Sequence, residues 1–354
     1  MRWTEIAVAG LITGLFVAGC EAPPDAVPAT QVDPIVNGQE EEGFPSAVAM
    51  GAEFQGSVMS MCTGNLITPE IVLCAGHCGD QIPVELIVAM GSAFFGPDVD
   101  DYDEAVGFAD FHVHPEYVPL ESGPGGDLGQ YDMSIFVLAE EASAEPTWFN
   151  RRELTLEEDK WRDMVSVGFG STGADGGGSG TKRSAELVLG FLDEMFIYTY
   201  SADNPGGANI CSGDSGGPQF FPHENGRYIQ AGVHSWGDQD CVQVGGSTRT
   251  DLAVEWLLEI IEDVHGTSDV CEINDWYDDG ICDDYCDEPD PDCETGDDDD
   301  DAADDDAGDD DDADADDDVE TEGTGCECST TAAPAAASVL AILLPLAVLI
   351  RRRS

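Results

Sequence analysis

The residues most suited to chemistry in this chain lie in Cys211-Ser212-Gly213-Asp214-Ser215-Gly216-Gly217-Pro218. Glycines on both sides of Ser215 let the backbone take conformations that a Cβ would forbid, so amide N–H groups can converge beside the hydroxyl. That is the local geometry of an acyl-transfer nucleophile. A hydroxyl is unreactive alone, and the reaction needs a base, a group to orient the base, and donors for the oxyanion. His77, in Ala75-Gly76-His77-Cys78 at the end of an apolar run, is the candidate base. Asp132, which opens the strongly apolar segment 132–138, is the candidate orienting group. Each also has a plain structural reading: a histidine packed in a core, and an aspartate capping a turn.

Bringing residues 77, 132 and 215 together requires a fold that joins distant parts of the sequence. From residue 35 to about 264 the chain reads as many short apolar strands broken by Gly, Pro and Asp turns, with almost no helical period. This pattern favours an all-β sandwich or barrel. The exception is 251–264, where Leu252, Trp256, Leu257, Ile260, Ile261 and Val264 recur at helical spacing opposite Glu255, Glu259 and Glu262. That spacing predicts a surface helix with one buried stripe. The net charge of -62, from 12 basic against 74 acidic residues, argues against nucleic-acid partners, whose phosphates it would repel. Twelve cysteines in a chain with an export-like leader predict disulfides rather than metal-thiolate sites.

Five segments occur in the order found in the chymotrypsin family of serine proteases, which residues 35–264 resemble. They are Ile35-Val36-Asn37-Gly38, Ala75-Gly76-His77-Cys78, Asp132-Met133-Ser134-Ile135, Gly213-Asp214-Ser215-Gly216-Gly217-Pro218 and Val233-His234-Ser235-Trp236-Gly237. The resemblance implies two antiparallel β-barrels with a cleft between them. In that frame Ser215 attacks a peptide carbonyl, His77 moves the proton, and Asp132 fixes the imidazole. The amides of Gly213 and Ser215 form the oxyanion hole. Ile35, once freed as an N-terminus, pairs with Asp214. Asn209, Ser235, Gly237 and Gly245 shape the primary specificity pocket, whose neutral floor favours large neutral side chains over Lys or Arg. The resemblance also implies the bridges Cys62–Cys78 and Cys211–Cys241, leaving Cys74 as a free thiol or a partner for Cys271. It implies neither a metal nor an organic cofactor. One departure is that Asp33-Pro34, not a basic residue, precedes Ile35, so a different activating protease, or no cleavage, is expected.

The flanks read as appendages to a protease domain at 35–265. Residues 1–20 resemble a lipoprotein-type signal peptide ending at Cys20, with an ordinary signal peptide or an uncleaved anchor as the alternatives. Residues 21–34, rich in Pro and Ala, read as a propeptide or tether. Residues 271–293, with Cys271, Cys282, Cys286 and Cys293, form a module too small to fold without cross-links, read as a disulfide knot serving as a spacer, with calcium binding as the alternative. Residues 294–325 are an acidic linker. Residues 326–354 join Cys326, a second lipidation candidate, to an apolar run and terminal arginines, and resemble the MYXO-CTERM sorting signal of myxobacterial surface proteins. An uncleaved tail anchor is the alternative, and either places the domain outside the cytoplasm. Two functions follow: an exported, surface-anchored serine endopeptidase acting on proteins or peptides, or a catalytically silent homologue that binds partners in the same cleft.

Overall fold

The computed structural model describes residues 35–293 except 37, 121–128, 202–207 and 242. Cys20, Cys326 and the terminal segments around them, 1–34 and 294–354, lie outside the described residues. A short strand β1 (Gln39–Glu40) leads into the first barrel, built from β2 (Ala47–Phe54), β3 (Ser57–Thr68), β4 (Ile71–Cys74), β5 (Ser92–Phe95), β6 (Glu104–Val113) and β7 (Ser134–Leu138). These close in the order β2-β3-β4-β7-β6-β5, every pair antiparallel. After β8 (Trp148–Phe149) the second barrel uses β9 (Asp163–Gly168), β10 (Arg183–Leu192), β11 (Phe196–Ser201), β12 (Pro218–Pro222), β13 (Tyr228–Gly237) and β14 (Gly245–Arg249). Because β9 pairs with both β10 and β12, this ring closes too, as β9-β10-β11-β14-β13-β12. The chain thus folds as two closed six-stranded antiparallel barrels.

Strand periodicity explains how β4 and β7 stay buried on both faces. Val72, Cys74, Phe136 and Leu138 point into the first barrel's interior. Ile71, Leu73, Ile135 and Val137 point the other way, into a core shared with Phe149 and Val233 of the second half. Each such side chain contributes roughly 1.5–3 kcal/mol of burial. After the short helices α1 (Val84–Met90) and α2 (Leu156–Asp159), helix α3 (Val254–His265) completes this shared core with Leu257 and Ile261, and ends at Gly266, whose φ of 78° suits the left-handed cap. The expected amphipathic helix is therefore present. Helix α1 (Val84–Met90) was not expected: its seven residues are too few, and too uniformly apolar, to show a period.

The cysteine-rich segment differs from the expected spacer. It belongs to the same compact unit as the barrels, and Cys271–Cys286 and Cys282–Cys293 cross-link it. Trp276, only 2% exposed, enters the shared core, and Tyr285 stacks on Trp148 with ring centroids 4.7 Å apart. Arg227 pairs with Glu145, Asp279 and Asp283, while Arg151 pairs with Asp287 at 2.8 Å. Asn225 donates to Asp283 Oδ1 at 2.7 Å. Acidic residues that look like solvated turns in the sequence are thus held by basic residues of the second half. Replacing Trp276 with alanine should destabilise the whole domain by about 3–5 kcal/mol in denaturant unfolding. An unchanged midpoint would mean that the segment hangs free.

Candidate active site

The β4–β7 ladder decides where the candidate base and its partner meet. It pairs Cys74 with Ser134, so the chain leaving β4 and the chain entering β7 lie side by side at one barrel end. Ser134 Oγ donates to the Ala75 carbonyl at 2.7 Å and closes that end. His77, in the tight turn Gly76–Cys78, then donates to Asp132 twice, from its backbone N to Oδ1 at 2.9 Å and from ring Nδ1 to Oδ2 at 2.7 Å. A third donor arrives from the second barrel, Ser235 Oγ to Asp132 Oδ2 at 2.6 Å. The buried carboxylate is thereby satisfied. Because Nδ1 faces a carboxylate it carries the proton, which leaves Nε2 as the acceptor. Burial alone would lower the His77 pKa, but the bond to Asp132 and the charges of Asp132 and Asp80 hold it above 6.5.

Contacts through Thr63 and Cys78 bring Ser215 to the same place. Thr63 N donates to the Ser215 carbonyl at 2.9 Å, Thr63 Oγ1 donates to the Gly213 carbonyl at 2.9 Å, and Cys78 Sγ lies 3.8 Å from the Ser215 carbonyl oxygen. Among the described hydrogen bonds none joins the His77 ring to the Ser215 hydroxyl, a contact that often tightens only with substrate bound. Gly213 has φ +96° and Gly216 φ +83°, and a Cβ on Gly216 would stand 2.3 Å from Cys74 Sγ. The amides of Asp214, Gly216 and Gly217 are all engaged, whereas those of Gly213 and Ser215 donate to no described acceptor. Two unspent donors, one on the serine itself and one two residues before it, are what an oxyanion hole needs.

Asp214 is fully buried, with Oδ1 accepting from Gly170 N and Oδ2 from Cys211 N, both at 2.8 Å. Burial pushes its pKa up to about 7, opposed by those two amides and by the charge of Arg183. Ile35 is also buried, at φ 27°, and Val36 forms an antiparallel bridge with Asn209. Among the described residues, the buried carboxylate of the intact chain is met by two backbone amides and by no ammonium.

A cavity of ≈ 290 Å³ opens beside Ser215, lined by Ile210, Ser212, Ser235, Trp236, Gly237 and Asp238 among others. Asn209 and Gly245 lie behind this lining, where a Cβ on Gly245 would be 2.7 Å from Asn209 Oδ1. Two features escaped the sequence reading. Ser235, assigned to the pocket, also reaches Asp132. Asp238 brings a carboxylate to the pocket wall, held by Gln243 N at 2.7 Å and Val244 N at 2.9 Å. No spacing in the sequence marks either contact. Cys62 bridges to Cys78 and Cys211 to Cys241, and Cys74 is a buried free thiol. Cys62, His77 and Cys78 lie within ligand distance of one another, but the two sulfurs are bonded together, which removes them as metal ligands.

A family model described as trypsin matches residues 35–257. Among curated proteins, the chain is 24% identical over 230 residues to the proclotting enzyme of Tachypleus tridentatus, covering 58% of this chain and 60% of that protein. It is 26% identical over 228 residues to serine proteinase stubble of Drosophila melanogaster, covering 56% and 27%. It is 25% identical over 204 residues to a trypsin-like protease of Streptomyces glaucescens, covering 52% and 67%. The chain thus spans less than two thirds of the first two relatives.

The Asp214 geometry fixes a pH dependence. A carboxyl whose folded pKa lies above its unfolded value favours folding when protonated, so its contribution is present below about pH 4 and is lost as pH rises through about 7. Denaturant midpoints of the intact chain should therefore fall relative to those of Asp214→Asn between pH 4 and pH 8. A constant difference would place a cation on Asp214 already.

Proposed function

The chain belongs to the trypsin family of serine proteases, and from that premise we propose that it is an exported endopeptidase working through Ser215, His77 and Asp132. The observation that carries this reading is the triple donation to Asp132, which fixes the His77 tautomer with Nε2 as acceptor. In the proposed cycle Ser215 Oγ attacks the scissile carbonyl while His77 Nε2 takes its proton. The oxyanion is held by the Gly213 and Ser215 amides, each such donor being worth about 3–4 kcal/mol. His77 then protonates the leaving amine, and the acyl-enzyme is hydrolysed by water activated at the same ring. Asp132 remains ionised and stabilises the imidazolium.

Activation follows from Asp214. Cleavage after Pro34 would free an ammonium on Ile35, already buried next to the Val36–Asn209 bridge, and pairing with Asp214 would settle the amides of the oxyanion loop. Pro34 is neither the basic residue usual before this position in the family nor one of the large side chains assigned to this chain's own pocket, so a separate activating protease is proposed. Four disulfides support an oxidising, extracytoplasmic setting for the domain. We assign anchoring to Cys20 in the precursor, and to the C-terminal segment after cleavage. We assign the pocket a preference for large neutral side chains from the neutral Asn209 behind its lining, the Asp238 carboxylate on its wall being engaged by the amides of Gln243 and Val244. The competing reading, a silent binding homologue, draws on the missing basic residue at position 34 and on the open His77–Ser215 contact.

Labelling by a fluorophosphonate, combined with N-terminal sequencing of the labelled chain, tests both steps. The expected result is a label that requires Ser215, abolished in Ser215→Ala, on a chain beginning at Ile35. An unlabelled chain beginning at Ile35 would favour the binding homologue, and labelled protein still beginning at Cys20 would sink the activation scheme.

A further inference from the structure

A cavity of ≈ 350 Å³ opens where the cysteine-rich segment meets the second barrel, and it shares no lining residue with the cavity at Ser215. Phe221 of β12, Ile229 of β13 and Tyr285 of the cysteine-rich segment supply apolar surface, so the cavity exists because that segment is docked. Arg151, Arg152, Arg162 and His223 supply the charge-bearing groups, and among the described residues no carboxylate lines the wall. The chain has 74 acidic residues against 12 basic ones, and four of those twelve, Arg151, Arg152, Lys160 and Arg162, fall within residues 151–162. A wall with three arginines and no acid runs against that composition.

The carboxylates that balance these cations are not part of the wall, and they leave donors over. Arg151 lies 4.2 Å over the Trp148 ring and donates from Nη1 to both oxygens of Asp287, while its buried Nε and Nη2 have no hydrogen-bond partner. Arg152 and Arg162 share one buried carboxylate, because both reach Asp159 Oδ1, Arg162 at 3.5 Å. The two guanidiniums therefore stand side by side. The other acidic partner of Arg152, Glu158, is 68% exposed and screened by water. Burial lowers the Arg162 pKa, the charge of Asp159 opposing it and that of Arg152 adding to it. Phe221 covers one face of the Arg162 fork, 3.9 Å from ring centroid to guanidinium, and leaves the edge for an acceptor. Unspent charged donors in a wall of low dielectric are costly, and an oxyanion removes that cost.

Guanidinium forks match carboxylate and phosphate oxygens alike. Three of them at one cavity suit a group with more charge and more acceptors than a carboxylate, and a phosphate monoester brings a charge of about −1.5 to −2 and three terminal oxygens. The acidity of the whole chain repels polyanions at long range, but exposed charges beyond about 8 Å are largely screened at physiological salt, so the wall decides what binds within it. We propose that the cavity walled by Arg151, Arg152 and Arg162 binds a phosphate group, carried by a soluble monoester or by a lipid headgroup. The endopeptidase reading does not enter this inference, because no residue of the wall belongs to the Ser215 cavity.

Calorimetric titration of inorganic phosphate into the full chain at constant ionic strength tests the site. The expected result is saturable one-to-one binding, about tenfold tighter than that of acetate and about tenfold weaker in Arg162→Gln, the scale of one lost hydrogen bond to a charged group. Arg152→Gln would leave the buried Asp159 short of a partner and can cost folding. Arg162 is 35% exposed at its side chain, so its substitution carries the comparison, and Arg162→Lys, which keeps the charge and loses the fork, should fall between the two. Sedimentation with vesicles separates the sources, phosphatidylcholine setting the baseline. Added retention on phosphatidic acid vesicles, competed by free phosphate and lost in Arg162→Gln, identifies a lipid headgroup. Saturable phosphate binding without added retention identifies a soluble monoester. Binding in neither arm, or binding that Arg162→Gln leaves unchanged in both, overturns the proposal, and equal affinity for acetate overturns the assignment of a phosphate.

Discussion

One buried carboxylate organises the site. Asp132 receives two bonds from His77 of its own barrel and one from Ser235 of the other, so it is both the partner of the base and a hydrogen-bonded link across the cleft. A carboxylate this deeply placed is tolerable only when its oxygens are occupied, and each donor depends on strand pairing elsewhere. Cys74 opposite Ser134 places the His77 turn. Ser247 opposite His234 helps hold the β13 ladder that presents Ser235. Loss of either register would strand Asp132 without partners.

The same logic sorts the other buried charges by whether a partner is present. Lys182, 2% exposed, donates to the Gly43 and Phe44 carbonyls at 3.2 and 3.0 Å, and burial lowers its pKa to about 8. His234, wholly buried with Nδ1 against Ser247 Oγ at 3.0 Å, is driven down to about 3 and stays neutral. Asp214 alone among these is a carboxylate supported only by amides and a more distant arginine charge, which leaves it suited to accept a new ammonium. The cost is stored where a chain end could relieve it.

How much of this was legible in the sequence depends on how local each cause is. Glycines around Ser215, the cysteine beside His77 and the apolar run after Asp132 are short patterns, and five such segments in order carry the family resemblance. Helix α3 was readable because twelve residues carry several turns of period, whereas the seven of α1 do not. The docking of residues 271–293 was hidden because Arg151 and Arg227 meet acids that look like solvated turn residues and lie far along the chain. Ser235 at Asp132 and Asp238 in the pocket were hidden for a similar reason: both arise from where β13 and the loop after it are held in space.

The most direct measurement of the central claim is the proton between His77 and Asp132. In solution NMR of the full chain, the His77 Nδ1–H should give a far-downfield resonance titrating above pH 6.5, and Asp132→Asn should remove both the downfield position and the raised titration. An ordinary imidazole shift with a midpoint at or below 6.5 would show that Asp132 does not hold His77, and would contradict the account at its foundation.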